Sequence, residues 1–170
     1  AKAASPLPID SARKGEIIPL KASLSPSVMK IQVISTEKQK GEGVRLEDAE
    51  VVVSGGRGLG ESANFKYLEE LAKLLKGAVG ASRAACDQGW IDPSHQIGLT
   101  GKVVSPSLYI AVGISGASQH MSGCSGAKVI VAINKDPDAS IFKEARYGVV
   151  GDWKQVLPAF TETCKELLGS

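Results

Sequence analysis

Three short apolar runs, each ending in a turn of glycine, serine and basic residues, limit what this chain can become. They read VVVSGGRGLG at 51–60, GAVGASRAACDQGW at 77–90 and LYIAVGISGASQH at 108–120. Runs this short and this apolar are expected to be buried strands. A buried strand, a turn and a helical stretch in repeated order predict a mainly parallel sheet with crossover helices. In such a sheet the turns gather at the carboxyl edge of the strands. Backbone N–H groups and short side chains can approach a phosphate closely there.

The rest of the chain fits that plan. Val51 to Val53 is expected as the first strand, and Phe65, Leu68, Leu71, Ala72 and Leu75 recur at helical spacing across 64–76, with Gly77 placed to stop the helix. A second strand at 78–80 leads to a short helix at 83–88. Further strands are expected at 108–112, 128–133 and 148–150, and helices at 141–145 and 153–168, the last carrying Pro158 where a kink is expected. The fold class that follows is α/β, a mainly parallel sheet with helices on both faces. Residues 1–49 differ, with scattered proline and charge, one plausible strand at 28–35 and a polar, linker-like run at 36–43. They hold too little apolar material for a core and are expected to be an arm or the remnant of a connection to a neighbouring domain. Residues 50–170 are expected to form the binding domain.

Composition removes several classes of function. A hydrophobic fraction of 43% with 22% charged residues suits a soluble globular protein, and 19 glycines against 5% aromatics favour tight turns and close backbone approaches. The net charge of +2 selects no partner, and without a basic stripe interleaved with aromatics nucleic acid is not expected. No apolar stretch approaches the ~20 residues of a membrane span. The start AKAASPLPID lacks the hydrophobic core of a signal peptide. Cys86, Cys124 and Cys164 are odd in number, widely spaced and form no CxxC. They point to a reducing compartment and to packing roles rather than to a disulfide frame or a zinc site.

Taken singly, the turns say little. SGGRGLG has glycines at 55, 56, 58 and 60, which is not GxGxxG, and no P-loop GK[ST] follows. Arg57, set between glycines, suits a phosphate or an adenine face. Ser82 and Arg83 open a helix whose free N–H groups favour an anion, although Arg83 could equally pair with Asp87 at i, i+4. Thr100, in HQIGLTGK, is by itself an ordinary turn residue. VGISGASQH is harder to dismiss, because Ser115, Gly116 and Ser118 bring hydroxyls and backbone donors together just before Gln119 and His120. Asn134 and Asp136 follow another strand, and Asp152 suits either a ribose hydroxyl or the N-cap of the last helix. The lack of GxGxxG and of an acid–base pair argues against a nicotinamide enzyme. A nucleotide-binding regulatory or scaffold domain stays open at this level.

In order and spacing, VVVSGGRGLG, VGASRAACDQGWID, IGLTGKVVSPSLYIAVGISGASQH, VIVAINKDP and GVVGDW resemble the FAD-binding domain of electron transfer flavoprotein alpha subunits, over residues about 50–168. Residues 16–35 are similar to the family's connection out of its N-terminal domain, which has no counterpart in these residues. The resemblance implies a Rossmann-like, deoxyhypusine-synthase-like domain that holds one FAD non-covalently and pairs with a beta subunit. It implies an electron carrier rather than an enzyme, with dehydrogenases as donors and a quinone oxidoreductase or another protein as acceptor. The implied compartment is the cytoplasm of a bacterium or the mitochondrial matrix of a eukaryote.

Carried over by position, the implied cofactor-binding residues are Arg57, Ser82, Arg83, Ile97, Gly98, Leu99, Thr100, Ser115, Gly116, Ala117, Ser118, Gln119, His120, Asn134, Asp152 and Trp153. The resemblance sets Arg83 against the isoalloxazine, Thr100 near the flavin N5 and His120 at the pyrimidine edge. Ser115 to Gln119 would meet the ribityl chain and pyrophosphate, with Asn134 and Asp152 toward the adenosine. Two positions depart from the family pattern. Leu99 stands where many members have Gln, and Ser118 stands where an apolar residue often precedes Gln.

Overall fold

In the computed structural model, which describes residues 15–21, 34–35 and 44–169, five apolar runs become the strands of one sheet. They are β1 (Val51–Gly55), β2 (Ala78–Ala81), β3 (Leu108–Val112), β4 (Val129–Asn134) and β5 (Tyr147–Val150). Every pairing is parallel, in the order β2-β1-β3-β4-β5. The chain lays β2 on one side of β1 and then returns to lay β3 on the other. The carboxyl ends of β1 and β3 therefore form a topological switch point, where a crevice opens above the sheet.

Alternation along the strands feeds two cores, one on each face. Val53, Ile110 and Ile133 face α1 (Phe65–Leu74), α2 (Arg83–Asp87) and α4 (Trp153–Leu168), packing with Leu68, Leu71, Ala85 and Leu157. Val52, Tyr109 and Ala132 face the other way, toward Ile97, Met121 and Ile141, on a side covered by α3 (Ser118–Met121), a 3-10 turn (Ser140–Lys143) and loops. Each fully buried Leu or Ile contributes roughly 1.5–3 kcal/mol, so the interdigitated rows fix the register against a slip.

Two expectations change in detail. The helix expected at 141–145 is the 3-10 turn, held by Ile141 N–H on the Ser115 carbonyl at 3.0 Å. At the end of α1 the left-handed residue is Lys76, with φ 52°, and not Gly77. Lys76 N–H reaches the Lys73 carbonyl (3.2 Å) and Gly77 N–H reaches the Ala72 carbonyl (2.8 Å), the pair of bonds that closes a Schellman turn. Glycine stands one residue later because a Cβ there would lie 2.4 Å from the Val51 carbonyl oxygen. α4 runs through Pro158 to Leu168 without a break, capped by Asp152, whose carboxylate accepts the Lys154 N–H at 2.9 Å.

Two units divide the chain, residues 1–39 and 40–170. In the first, the described residues 15–21 and 34–35 carry no regular secondary structure. The strand expected at 28–35 otherwise lies outside the described residues, as does the linker expected at 36–43. Among the described residues no helix is long and apolar enough to cross a membrane.

Candidate functional site

A cavity of about 810 Å³ opens at the carboxyl ends of β1, β2, β3 and β4, a size suited to an organic cofactor. The turn after β1 supplies Arg57 and Gly58, and the turn after β2 supplies Ser82, Arg83, Ala84 and Asp87. The β3 turn gives Gly113, Ile114, Ser115, Ala117, Gln119 and His120, and β4 ends in Asn134, Lys135 and Asp136, with Ala139 beyond. A fifth segment, Gln96 to Thr100, joins them because Ile97 N–H binds the Ala81 carbonyl at 2.9 Å and Leu99 N–H the Gln119 carbonyl at 2.7 Å. These two bonds anchor that loop to β2 and to α3.

The β3 turn is built to leave its donors open. None of the six consecutive N–H groups from Ile114 to Gln119 donates to another group among the described residues. The turn is nevertheless braced from outside. Asn134 Nδ2 donates to the Ile114 carbonyl at 2.9 Å, and Ile141 N–H to that of Ser115 at 3.0 Å. Gly113 begins the turn with φ 63°, and a Cβ there would lie 2.9 Å from the Gly58 backbone, so the β1 and β3 turns touch main chain to main chain. At the start of α2 the N–H groups of Arg83 and Ala84 are also without backbone acceptors. An array of unpaired N–H groups facing a cavity favours an anion such as phosphate.

Two buried polar atoms in the cavity wall, Ser82 Oγ and His120 Nδ1, have no partner in hydrogen-bond geometry among the described residues. A native structure rarely leaves such atoms unpaired unless something else pairs with them. The other imidazole nitrogen of His120, Nε2, lies 2.8 Å from the Tyr109 hydroxyl. Burial lowers the His120 pKa to about 4, the Ile97 backbone partly opposing the shift, so the ring is neutral at physiological pH. Burial likewise pushes the Cys124 thiol up to about 11 and raises that of Cys86, which leaves neither as a thiolate nucleophile. Thr100 Oγ1 accepts from Gln96 Nε2 at 2.9 Å, so its own O–H remains to donate. Arg83 Nε pairs with Asp87 at 3.3 Å, the alternative weighed from the sequence, while both residues line the cavity.

Of the sixteen residues expected at the site, twelve line this one cavity: Arg57, Ser82, Arg83, Ile97, Gly98, Leu99, Thr100, Ser115, Ala117, Gln119, His120 and Asn134. Four do not. Gly116, at φ 84°, is pressed against the 3-10 turn, where a Cβ would lie 2.2 Å from Ile141 N. Ser118 is exposed, its hydroxyl on Gln119 Oε1 at 3.3 Å. Asp152 caps α4, and Trp153 is buried with its indole N–H on the Gly58 carbonyl at 3.1 Å and its ring against Tyr67. Trp153 thus supports the β1 turn from behind. The cavity also takes Gly58, Ala84, Asp87, Gln96, Gly113, Ile114, Lys135, Asp136 and Ala139, which the sequence reading did not name as site residues. Most are chain neighbours of residues it did name, so widening each turn by one or two positions would have found them.

A family profile described as the electron transfer flavoprotein FAD-binding domain matches residues 45–125. The electron transfer flavoprotein subunit alpha of Megasphaera elsdenii is 51% identical over 162 residues, 94% of this chain and 48% of that protein. The subunit alpha of Bacillus subtilis (strain 168) is 52% identical over 158 residues, 93% of this chain and 48% of its own length. The mitochondrial subunit alpha of Dictyostelium discoideum is 58% identical over 132 residues, 78% of this chain and 37% of the relative. Across nearly its whole length the chain is similar to electron transfer flavoprotein alpha subunits. It spans about half the length of the curated alpha subunits it matches. Residues 45–125 contain the cavity segments from β1, β2 and β3 and the Gln96 to Thr100 loop. The β4 segment, Asn134 to Asp136, completes the cavity beyond the profile's match.

Proposed function

We propose that this chain is the FAD-binding part of an electron transfer flavoprotein, an electron carrier with no substrate turnover of its own. The observation that carries the reading is the convergence of four strand ends on one cavity beside a turn whose six consecutive N–H groups are unpaired among the described residues, four of those residues, Ile114, Ser115, Ala117 and Gln119, lining the cavity. The donor set suits FAD. A dinucleotide brings a pyrophosphate for the Ile114 to Gln119 N–H groups and Arg57, and acceptor atoms for Ser82 Oγ and His120 Nδ1. Residues 50–170 form the FAD-binding domain in this reading, and residues 1–49 an arm and the connection to another domain.

When bound, FAD supplies the redox chemistry, its ring gaining negative charge on the pyrimidine side as it is reduced. The chain's residues bind and bias it. Arg83 is the cation for the ring, its guanidinium held at Nε by Asp87 and open at the two Nη groups. Thr100, with its hydroxyl proton free, would donate toward the flavin N5, and His120 would meet the pyrimidine edge. Gln119 and the N–H groups around it meet the ribityl chain and pyrophosphate. Asn134 and Asp136 are left for the adenosine end. Asp152 can reach it only through the carboxylate oxygen not already bound to Lys154 N–H. The partners in this reading are an electron transfer flavoprotein beta subunit, dehydrogenases as donors and a quinone oxidoreductase or another protein as acceptor. Its compartment is the bacterial cytoplasm or the mitochondrial matrix.

The visible absorption spectrum of the purified chain, taken after adding FAD and removing the excess, tests the reading. Retained flavin bands support a site within these residues, and retention only with an added beta subunit supports a site completed by the partner. Loss of FAD in both preparations contradicts the proposal.

A further inference from the structure

Tyr109 occupies the middle of β3, fully buried, with its hydroxyl in the core. A buried phenol needs a hydrogen-bond partner, and this one has Nε2 of His120 at 2.8 Å. Two arrangements fit that distance. Either the phenol donates to an Nε2 lone pair, which leaves the imidazole proton on Nδ1, or Nε2–H donates to the phenol oxygen, which leaves a lone pair on Nδ1.

The surroundings choose between them. Burial raises the Tyr109 pKa well above its ordinary value, so the phenol keeps its proton and that proton needs an acceptor. Cys124 Sγ is a weak acceptor, and its own S–H lies toward the His120 carbonyl at 3.7 Å. Ser54 is on Tyr109's face of the sheet, since Val52 pairs with Tyr109 and Ser54 with Ala111, but among the described residues Ser54 Oγ has no partner in hydrogen-bond geometry, and it acts on the phenol as a donor, not an acceptor. The acceptor in hydrogen-bond geometry is therefore Nε2. We infer that Tyr109 is a positioning residue: its hydroxyl holds His120 in the Nδ1–H tautomer, so that this wall of the cavity carries a donor rather than a lone pair. The inference deepens the FAD reading and rests on it only for the identity of the acceptor. A neutral N–H beside the pyrimidine edge favours the ring that has gained negative charge, and a lone pair at the same place would repel it. Among the described residues no group meets Nδ1 in full hydrogen-bond geometry, the Ile97 backbone acting on the ring only weakly, so an acceptor arriving in the cavity would satisfy this donor.

The tautomer is directly measurable in the full chain without FAD. Nitrogen and carbon NMR shifts of the imidazole distinguish Nδ1–H from Nε2–H, and the sequence has two histidines to assign. The second, His95, faces the Val79 carbonyl through Nδ1 at 2.8 Å and provides an internal Nδ1–H reference, assigned with His95→Gln. The expected result is Nδ1–H at His120, with that uniform state lost in Tyr109→Phe while the amide spectrum of the sheet persists. An Nε2–H form in the unaltered chain overturns the inference, and so does an Nδ1–H signal undiminished in Tyr109→Phe. With FAD loaded, the ratio of reduced to oxidised FAD affinity should fall by roughly tenfold in Tyr109→Phe, about one charge-assisted hydrogen bond. An unchanged ratio also overturns it. A chain that never retains FAD contradicts the functional reading instead, and the apoprotein tautomer still decides the role of Tyr109.

Discussion

Two turns of this molecule solve the same problem in opposite ways. At the end of α1, the turn at 72–77 closes its backbone on itself, with Lys76 and Gly77 N–H groups returned to the Lys73 and Ala72 carbonyls. After β3, the turn at 114–119 returns none of its six N–H groups and is instead braced through its carbonyls by Asn134 and Ile141. The first turn only ends an element, so satisfying its own donors is its most stable arrangement. The second keeps its shape by other means and leaves its donors for something outside the chain. Open donors alone would be ordinary on a loop. Open donors on a rigidly braced turn, at a switch point, beside two buried unpaired side-chain atoms, describe a binding surface.

The largest expected effect comes from removing the bracing. Gly113→Ala puts a Cβ 2.9 Å from the Gly58 backbone at φ 63°, and should cost roughly 2–4 kcal/mol in denaturant unfolding together with FAD retention. Near-native stability with FAD retained would show that the contact between the β1 and β3 turns is not what shapes the cavity.

Next in size is a pH effect on the buried histidine at the same turn. The folded pKa of His120 is depressed to about 4, below its unfolded value, so between the two the unfolded chain binds more protons. Stability from this group is then full above about pH 6.5, and about 3 kcal/mol is lost as the pH falls through about 4. His120→Gln should flatten that part of the stability–pH curve. An unchanged slope would mean that His120 is not the group titrating.

Much of this plan is legible in the residues, and the parts that are not share a cause. Strand positions follow from local apolar runs, and β3 and α4 fall where expected, because short-range patterning decides them. The four cavity-forming turns follow because each strand of a parallel sheet ends at the same edge. Trp153 is named at the site only by the family resemblance, and Asp152 suits either a ribose hydroxyl or the N-cap of the last helix. In the fold Trp153 meets Gly58, a contact 95 residues away in sequence that no local pattern shows, and Asp152 takes the N-cap hydrogen bond that its position already offered. Lys76 in place of Gly77 has the same origin, since glycine is required where Val51 approaches from another element. Local pattern shows where turns fall, and only the packed fold shows which turns have their donors left over.

Smaller effects separate the two turns further. Arg83→Ala should weaken FAD binding by about tenfold and lower the potential of bound FAD, through loss of one charge-assisted interaction. Stability should change by under about 0.5 kcal/mol, because the ion pair with Asp87 is exposed. An unchanged potential in a variant that still binds FAD would remove Arg83 from the ring. The smallest effect is expected at the closed turn. Lys76→Gly relieves a left-handed lysine, worth about 1 kcal/mol, and gives back part of that through the freer unfolded chain. A net gain of roughly 0.5 kcal/mol in unfolding, with FAD binding untouched, would mark that turn as structural only.

The most direct measurement is an amide NMR titration of the labelled full chain with FAD, repeated with an added beta subunit. The account predicts that the N–H signals of Ile114 to Gln119 move together, downfield and with slowed hydrogen exchange, while those of Lys76 and Gly77 stay in place. Retained FAD with the Ile114 to Gln119 signals unmoved would contradict it, because the donors on which the site is built would then be binding nothing.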